Sequence, residues 1–254
     1  MDEFLDSPAA ERPAVLADLD GCLIAGGKPL PHACRLVARL GERLTIVSNN
    51  SSDTAATLAA QLERIALPIA PARLVLAGEE AVRLLASRRP GARVALFASE
   101  PIVALAERLG LRPDRDRAEI ALLARAPDFD LADLAQLAAL AHRGTELWLS
   151  NPDTSHPGPD GTPVPETGAL MAALAAMVAV TPAIVVGKPA PGLVRRALDR
   201  SAVAACDAVF IGDTAATDGL AAQAAGVPFV LVRRPGDEPA ARPRGTVEIA
   251  QGAA

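Results

Sequence analysis

The sequence predicts an α/β protein, a parallel-sheet core carrying an inserted α/β cap. Three observations predict it. Short apolar runs alternate with stretches of helical period, the pattern of parallel strands joined by crossover helices. Four of those runs end in polar clusters, and ligands of open parallel sheets gather beyond the carboxyl ends of strands. The four clusters also fall into two blocks, separated by a segment with strand and helix patterns of its own. The expected division is a core of residues 1–76 and 183–254 and a cap of residues 77–182, and 254 residues are comfortable for two domains.

The first run, Ala14 to Ala17, ends in Asp18-Leu19-Asp20-Gly21. Side chains alternate along a strand, so Asp18 and Asp20 can face one side of the sheet end. Two close negative charges there ask for a cation. Leu44 to Asn50 ends in Ser48, Asn49 and Asn50, and Ser51, Ser52 and Asp53 offer capping side chains for a helix from about Thr54. A hydroxyl and backbone N–H groups at such a helix start can hold a phosphate. In the cap, strands are expected near Arg93–Ala98, Glu119–Ala124 and Glu146–Leu149. Between the last two, Leu131–His142 carries Leu134, Leu137 and Leu140 at helical spacing, a packing stripe.

The loop Asn151 to Pro165 follows a strand-like run and mixes polar side chains with glycine and proline. It either reaches over the site, with Asn151, Asp153 and His156 meeting the substrate's leaving group, or forms a long exposed turn. Gly168 to Gly187 is free of charge, but Thr181-Pro182 breaks it into a helix and a strand, so no membrane span is expected. Ala183 to Pro189 then ends in Gly187-Lys188, where one lysine can neutralise phosphate charge. Asp207 to Asp218 ends in Gly212-Asp213-Thr214, with Asp218 at the next helix start. Arg233 to Gly245 is rich in proline and reads as a loop.

Singly, each cluster also reads as an ordinary turn or cap. Their joint order, Asp-x-Asp-Gly, Ser-Asn-Asn-Ser, Gly-Lys-Pro and Gly-Asp-Thr-x-x-Thr-Asp, resembles the four motifs of the haloacid dehalogenase superfamily. The long segment between the second and third motifs, with Asn151-Pro152-Asp153 and Gly168-Ala169-Leu170, is similar to the NagD-like, p-nitrophenylphosphatase-like subgroup. The resemblance runs from about Pro13 to Arg233. Cys22, where many members have threonine or valine, departs from the pattern without touching a catalytic role.

The resemblance implies a Rossmann-like core and a magnesium-dependent phosphatase of small phosphorylated metabolites, working through an aspartyl-phosphate. On that likeness Asp18 is the nucleophile and Asp20 the general acid and base. Magnesium is held by the carboxylates of Asp18 and Asp213 and the backbone carbonyl of Asp20. Ser48 and Lys188 bind the phosphoryl oxygens, Asp218 positions Lys188 or a metal-bound water, and Asn49 and Asn50 are supporting or substrate contacts. The substrates implied are phosphoglycolate, pyridoxal phosphate, sugar and glycerol phosphates, and nucleoside monophosphates. A homodimer through the cap is open to it.

Composition narrows the alternatives. A formal charge of −5 and scattered arginine pairs form no basic stripe, which argues against nucleic acid as a partner. Three cysteines without Cys-x-x-Cys argue against a disulfide framework or zinc site and for a reducing compartment, the cytoplasm, with each thiol packed as a small residue. The amino-terminal MDEFLDSPAAERP has no apolar signal region and reads as a short solvated leader. A receiver-like signalling domain needs only about half this length and lacks the second aspartate's acid/base. A phosphate-binding scaffold without turnover stays the alternative, although it has no need of every polar group named. A P-loop kinase lacks the glycine-rich loop, and a serine hydrolase lacks the Gly-x-Ser-x-Gly elbow.

Overall fold

Ala14–Ala17 (β1) is apolar at every position and wholly buried, which suits the centre of a sheet covered on both faces. Its residues divide between those faces, Ala14 and Leu16 entering one apolar cluster and Val15 and Ala17 another. The computed structural model describes residues 1–158, 160 and 162–232. Leu44–Ser48 (β2) and Leu74–Leu76 (β3) extend the sheet on one side of β1. Arg93–Phe97 (β4), Arg112–Pro113 (β5), Ile120–Leu123 (β6), Glu146–Leu149 (β7) and Ile184–Val185 (β8) form a second parallel sheet, ordered β8-β7-β6-β4-β5. Ala208–Gly212 (β9) and Phe229–Leu231 (β10) complete the first, whose order is β10-β9-β1-β2-β3, also parallel throughout.

The register brings the polar strand ends together. Ala17 lies opposite both Ile211 and Ile46, so Asp18, Gly212-Asp213 and Val47-Ser48 emerge at one edge. Helices return the chain between strands. Ala55–Arg64 starts at Thr54, whose hydroxyl accepts from the Thr57 N–H while Thr57 Oγ1 accepts from the Thr54 N–H. This reciprocal cap contributes about 1 kcal/mol. It corrects the expectation that Ser51, Ser52 and Asp53 cap the helix. Leu131–His142 is helical as expected, with Leu137 and Leu140 buried and Leu134 packed beside them.

Between the two sheets lies one continuous apolar cluster, running from Leu16 and Val47 through Val82 and Leu85 to Leu96 and Trp148. The stretch Gly168 to Gly187 divides as its proline foretells, into the helix Thr167–Met177 and β8. Here sheet membership departs from the expected division at residue 182. β8 pairs with β7, Ile184 opposite Trp148, so the chain returns to the first sheet only after Val185. The run AIVVGKP reads equally well as a strand of either sheet, because pairing partners are not written in a strand's own sequence.

The expected solvated leader is instead anchored. Asp2–Leu5 forms a helical turn, and Phe4, Leu5 and Ala10 are buried in the cluster on the far face of β1. Only Cys22 is packed as expected; Cys34 and Cys206 are exposed. Arg233 to Gly245 lies outside the described residues. No helix among those described is long and apolar enough to cross a membrane.

Candidate active site

Lys188 sits at the meeting point of the four polar clusters. Its buried ammonium donates to Asp18 Oδ1 at 2.6 Å, Asp218 Oδ1 at 2.7 Å and the Val47 carbonyl at 3.0 Å, three acceptors for three protons. Burial alone pulls an ammonium's pKa down, but the two carboxylates outweigh it and hold Lys188 above its ordinary range. Asp218 is spent on both oxygens, since Oδ2 accepts from the Thr214 N–H at 3.1 Å. Gly212 allows that approach, for a Cβ there would overlap the Asp218 carboxyl group.

The site carries more negative charge than one lysine can balance. Carboxylate oxygens of Asp18, Asp213 and Asp218 lie within 4.8 Å of one another. Asp18 is driven well above the usual carboxylate range by burial, with Lys188 only partly opposing that rise and Asp218 and Asp20 adding to it. Asp20, one turn further at the glycine Gly21 (φ +87°), faces the open cleft. The surrounding protein raises its carboxyl too, against the pull of His156 and Lys188. A compact set of hard oxygen donors with surplus negative charge fits a divalent cation such as magnesium.

Ser48 is buried at the end of β2, and its Oγ accepts from the Asn50 N–H at 3.0 Å, which leaves the hydroxyl proton to donate elsewhere. Asn49 does not lie free for substrate. Its Oδ1 accepts from the Lys188 N–H at 2.7 Å, and its Nδ2 donates to the Lys188 carbonyl and to Asp153 Oδ2, both at 3.0 Å. Asn50 turns inward as well, its Oδ1 accepting from the N–H groups of Ser52 and Asp53. Those contacts, with Glu79 Oε2 on the Ala55 N–H at 2.6 Å, engage the Ser52, Asp53 and Ala55 backbone donors at this helix start.

A cleft of about 560 Å³ opens over these residues. Asp18, Asp20, Ser48, Asn49, Asn50, Lys188, Asp213 and Asp218 line it from the first sheet's edge, and Asp153 and His156 from the other side. Burial raises the Asp153 carboxyl from its usual range. Asn151 falls outside the cleft, in contrast to its expected contact with the leaving group. It is fully buried, donating to the Asn49 carbonyl at 3.0 Å and to Ser51 Oγ at 3.1 Å while its Oδ1 accepts from the Asp153 N–H. Two lining residues have no place in the sequence reading, Arg125 and Glu166. Arg125 stands two residues beyond β6, so the strand-end rule that selects Asp18 and Ser48 selects it too. Glu166 precedes a helix and has no such signal.

Comparison with known proteins places this architecture. Residues 15–112 match the family model of haloacid dehalogenase-like hydrolases and residues 185–249 a second, HAD-hydrolase-like model. D-glycerol 3-phosphate phosphatase of Mycobacterium tuberculosis is 34% identical over 233 residues, 90% of this chain; the chain spans 65% of that protein's length. Human (Homo sapiens) chronophin is 31% identical over 85% of this chain and 79% of its own. The crystal structure of the M. tuberculosis glycerol phosphate phosphatase in complex with magnesium superposes with a TM-score of 0.80 at 31% identity, over 89% of this chain and 69% of that one. A second structure of that phosphatase holds calcium.

Proposed function

This chain belongs to the haloacid dehalogenase-like hydrolases, and on that premise we propose that it is a magnesium-dependent phosphatase of small phosphorylated metabolites. The observation that carries the reading is the buried Lys188 held between Asp18 and Asp218, with Ser48, Asp20 and Asp213 around it at one cleft. A structural ion pair has no need of that surplus of carboxylates. A phosphoryl group does, once a cation offsets their charge.

In this reading a carboxylate oxygen of Asp18 attacks phosphorus and forms an aspartyl-phosphate, while Asp20 gives its proton to the departing alkoxide. The upward push of its surroundings on the Asp20 carboxyl favours the protonated form that this half-reaction requires. Asp20, now ionised, takes a proton from water as the water's oxygen attacks the aspartyl-phosphate. Inorganic phosphate leaves and Asp18 is restored. Lys188 and the Ser48 hydroxyl steady the phosphoryl oxygens as charge redistributes. Asp218 keeps Lys188 in place, and Asn49 and Asn50 shape the loop rather than touch substrate. Asp18 and Asp213 with the Asp20 carbonyl would hold magnesium, which supplies neutralisation and alignment of the phosphoryl group.

The two sheets suggest a division in which the first supplies chemistry and residues between about 77 and 186 form a cap that limits access. That cap favours small substrates over phosphoproteins. The test is phosphate release by the purified protein from a panel of phosphate esters, with magnesium and with excess chelator. Magnesium-dependent turnover of small esters is expected, and no release from any ester would overturn the proposal in favour of a phosphate-binding scaffold.

A further inference from the structure

Above Asp20 the cleft wall is built from three side chains joined through one oxygen. Glu166 Oε1 lies 2.7 Å from His156 Nδ1 and 3.3 Å from Arg125 Nε. With Glu166 ionised, His156 Nδ1 carries the shared proton and donates it to Glu166 Oε1. Both charged partners are fixed from behind. The Arg125 N–H donates to Ser51 Oγ at 3.1 Å and its Nη1 to Ser52 Oγ at 3.2 Å, while the Glu166 N–H donates to the Thr154 carbonyl at 3.0 Å. The cluster shares the cleft with Asp20, the residue read as protonating the leaving group.

Arg125 and Glu166 cancel in charge but not in hydrogen-bonding capacity. Together with His156 they present donors and acceptors to the cleft, and Asp153 beside them adds a carboxylate. Among the described residues lining the cleft there is no Phe, Trp or Tyr, and Pro152 is the largest apolar one. The flat groups facing the cleft are polar, the His156 imidazole and the Arg125 guanidinium, and both are bonded to Glu166. A carboxylate on the substrate would meet the like charges of Glu166 and Asp153, with Arg125 already paired to Glu166. Hydroxyl groups suit the wall, since each can both give and take a hydrogen bond.

Resting on the phosphatase reading, we propose that Arg125, Glu166 and His156 form a hydroxyl-reading subsite that selects phosphate monoesters of small uncharged polyols over esters bearing a carboxylate. Arg125 and Glu166 are its specificity-determining residues. The test compares kcat/KM for glycerol 3-phosphate, phosphoglycolate and p-nitrophenyl phosphate in wild type, Glu166→Gln and Arg125→Gln. Wild type should prefer glycerol 3-phosphate to phosphoglycolate. Glu166→Gln should shift the ratio of glycerol 3-phosphate to phosphoglycolate towards phosphoglycolate by about tenfold or more, because it removes a like charge and frees Arg125. Arg125→Gln should move that ratio the other way.

A wild type that releases phosphate but favours phosphoglycolate over glycerol 3-phosphate overturns the subsite and leaves the phosphatase reading standing. So do variants that lower all three esters equally. No release from any ester by wild type overturns both.

Discussion

Replacing Lys188 by methionine removes a buried charge from between two carboxylates while keeping most of the side-chain volume. The ammonium makes charge-assisted hydrogen bonds to Asp18 and Asp218 at 2.6 and 2.7 Å, each contributing about 1.5–3 kcal/mol. Removing one partner of a buried ion pair costs about 3–5 kcal/mol because the other charge stays buried, and that range is the estimate for this variant. For a chain of this size about 2–4 °C in Tm accompanies each kcal/mol, so Tm should fall by about 6–20 °C. The deficit is pH-dependent. Asp18, already raised by burial, rises further without the ammonium, so the folded variant binds more protons than the unfolded chain above the unfolded pKa. The variant should therefore lose stability relative to wild type as pH rises from 5 to 8. Thermal unfolding in excess chelator, followed by circular dichroism, measures both effects. A Tm within a degree or two of wild type, or a deficit that shrinks with rising pH, would refute the reasoning.

The same variant should lower kcat by about 10²–10³ for every ester alike, the usual loss when one stabilising donor is removed from a charged transition state; substrate-selective losses would assign Lys188 to recognition instead. Asp18→Asn should abolish turnover in a folded protein, since the amide is a poor nucleophile and metal ligand, and more than a few per cent of wild-type rate would reject the assignment. Chelation should remove activity, magnesium restore it and calcium substitute poorly, because calcium prefers more ligands at longer distances; equal rates with both ions would count against the mechanism. Asp213→Ala should raise the magnesium concentration needed for half-maximal rate far more than Asp53→Ala, whose carboxylate binds Asn50, Thr57 and Gln61 on the helix start. Asp153→Ala should alter the ranking of substrates in a kcat/KM panel, and a uniform loss across the panel would place it in the shared chemistry.

The parts of the site that could be read from sequence share one property. Asp18, Ser48 and Asp213 follow buried apolar strands, and a parallel sheet sends all such ends to one edge whatever the details of packing. Arg125 obeys the same rule but hides beyond an unremarkable Ala124 and among the other arginines of a charged segment. Glu166 was not legible, because its place in the cleft wall depends on Arg125 approaching it from a loop and His156 from the strand Ser155–Pro157. Asn151 misleads for a related reason. A polar residue after a strand can point into the cleft or be folded beneath it, and only the Ser51, Asn49 and Asp153 partners decide that it is beneath. The leader's Phe4 and Leu5 lie in a segment too short to show a period, so their burial had no pattern to announce it.

Lys188 links the two sheets in a way that neither motif order nor strand pairing displays. It leaves β8, an edge strand of the second sheet, yet its ammonium is buried among residues of the first. Asn49, from the first sheet, holds both the N–H and the carbonyl of Lys188 and also the carboxylate of Asp153. Gly187 lets the chains come this close, for a Cβ there would stand 2.6 Å from Asn49 Oδ1 and 2.9 Å from the Ser150 carbonyl. A lysine supplied at the junction makes the charge balance at Asp18 depend on how the second sheet sits against the first. Asp153 on one side of the cleft and the Lys188 backbone on the other are thereby fixed by one asparagine side chain.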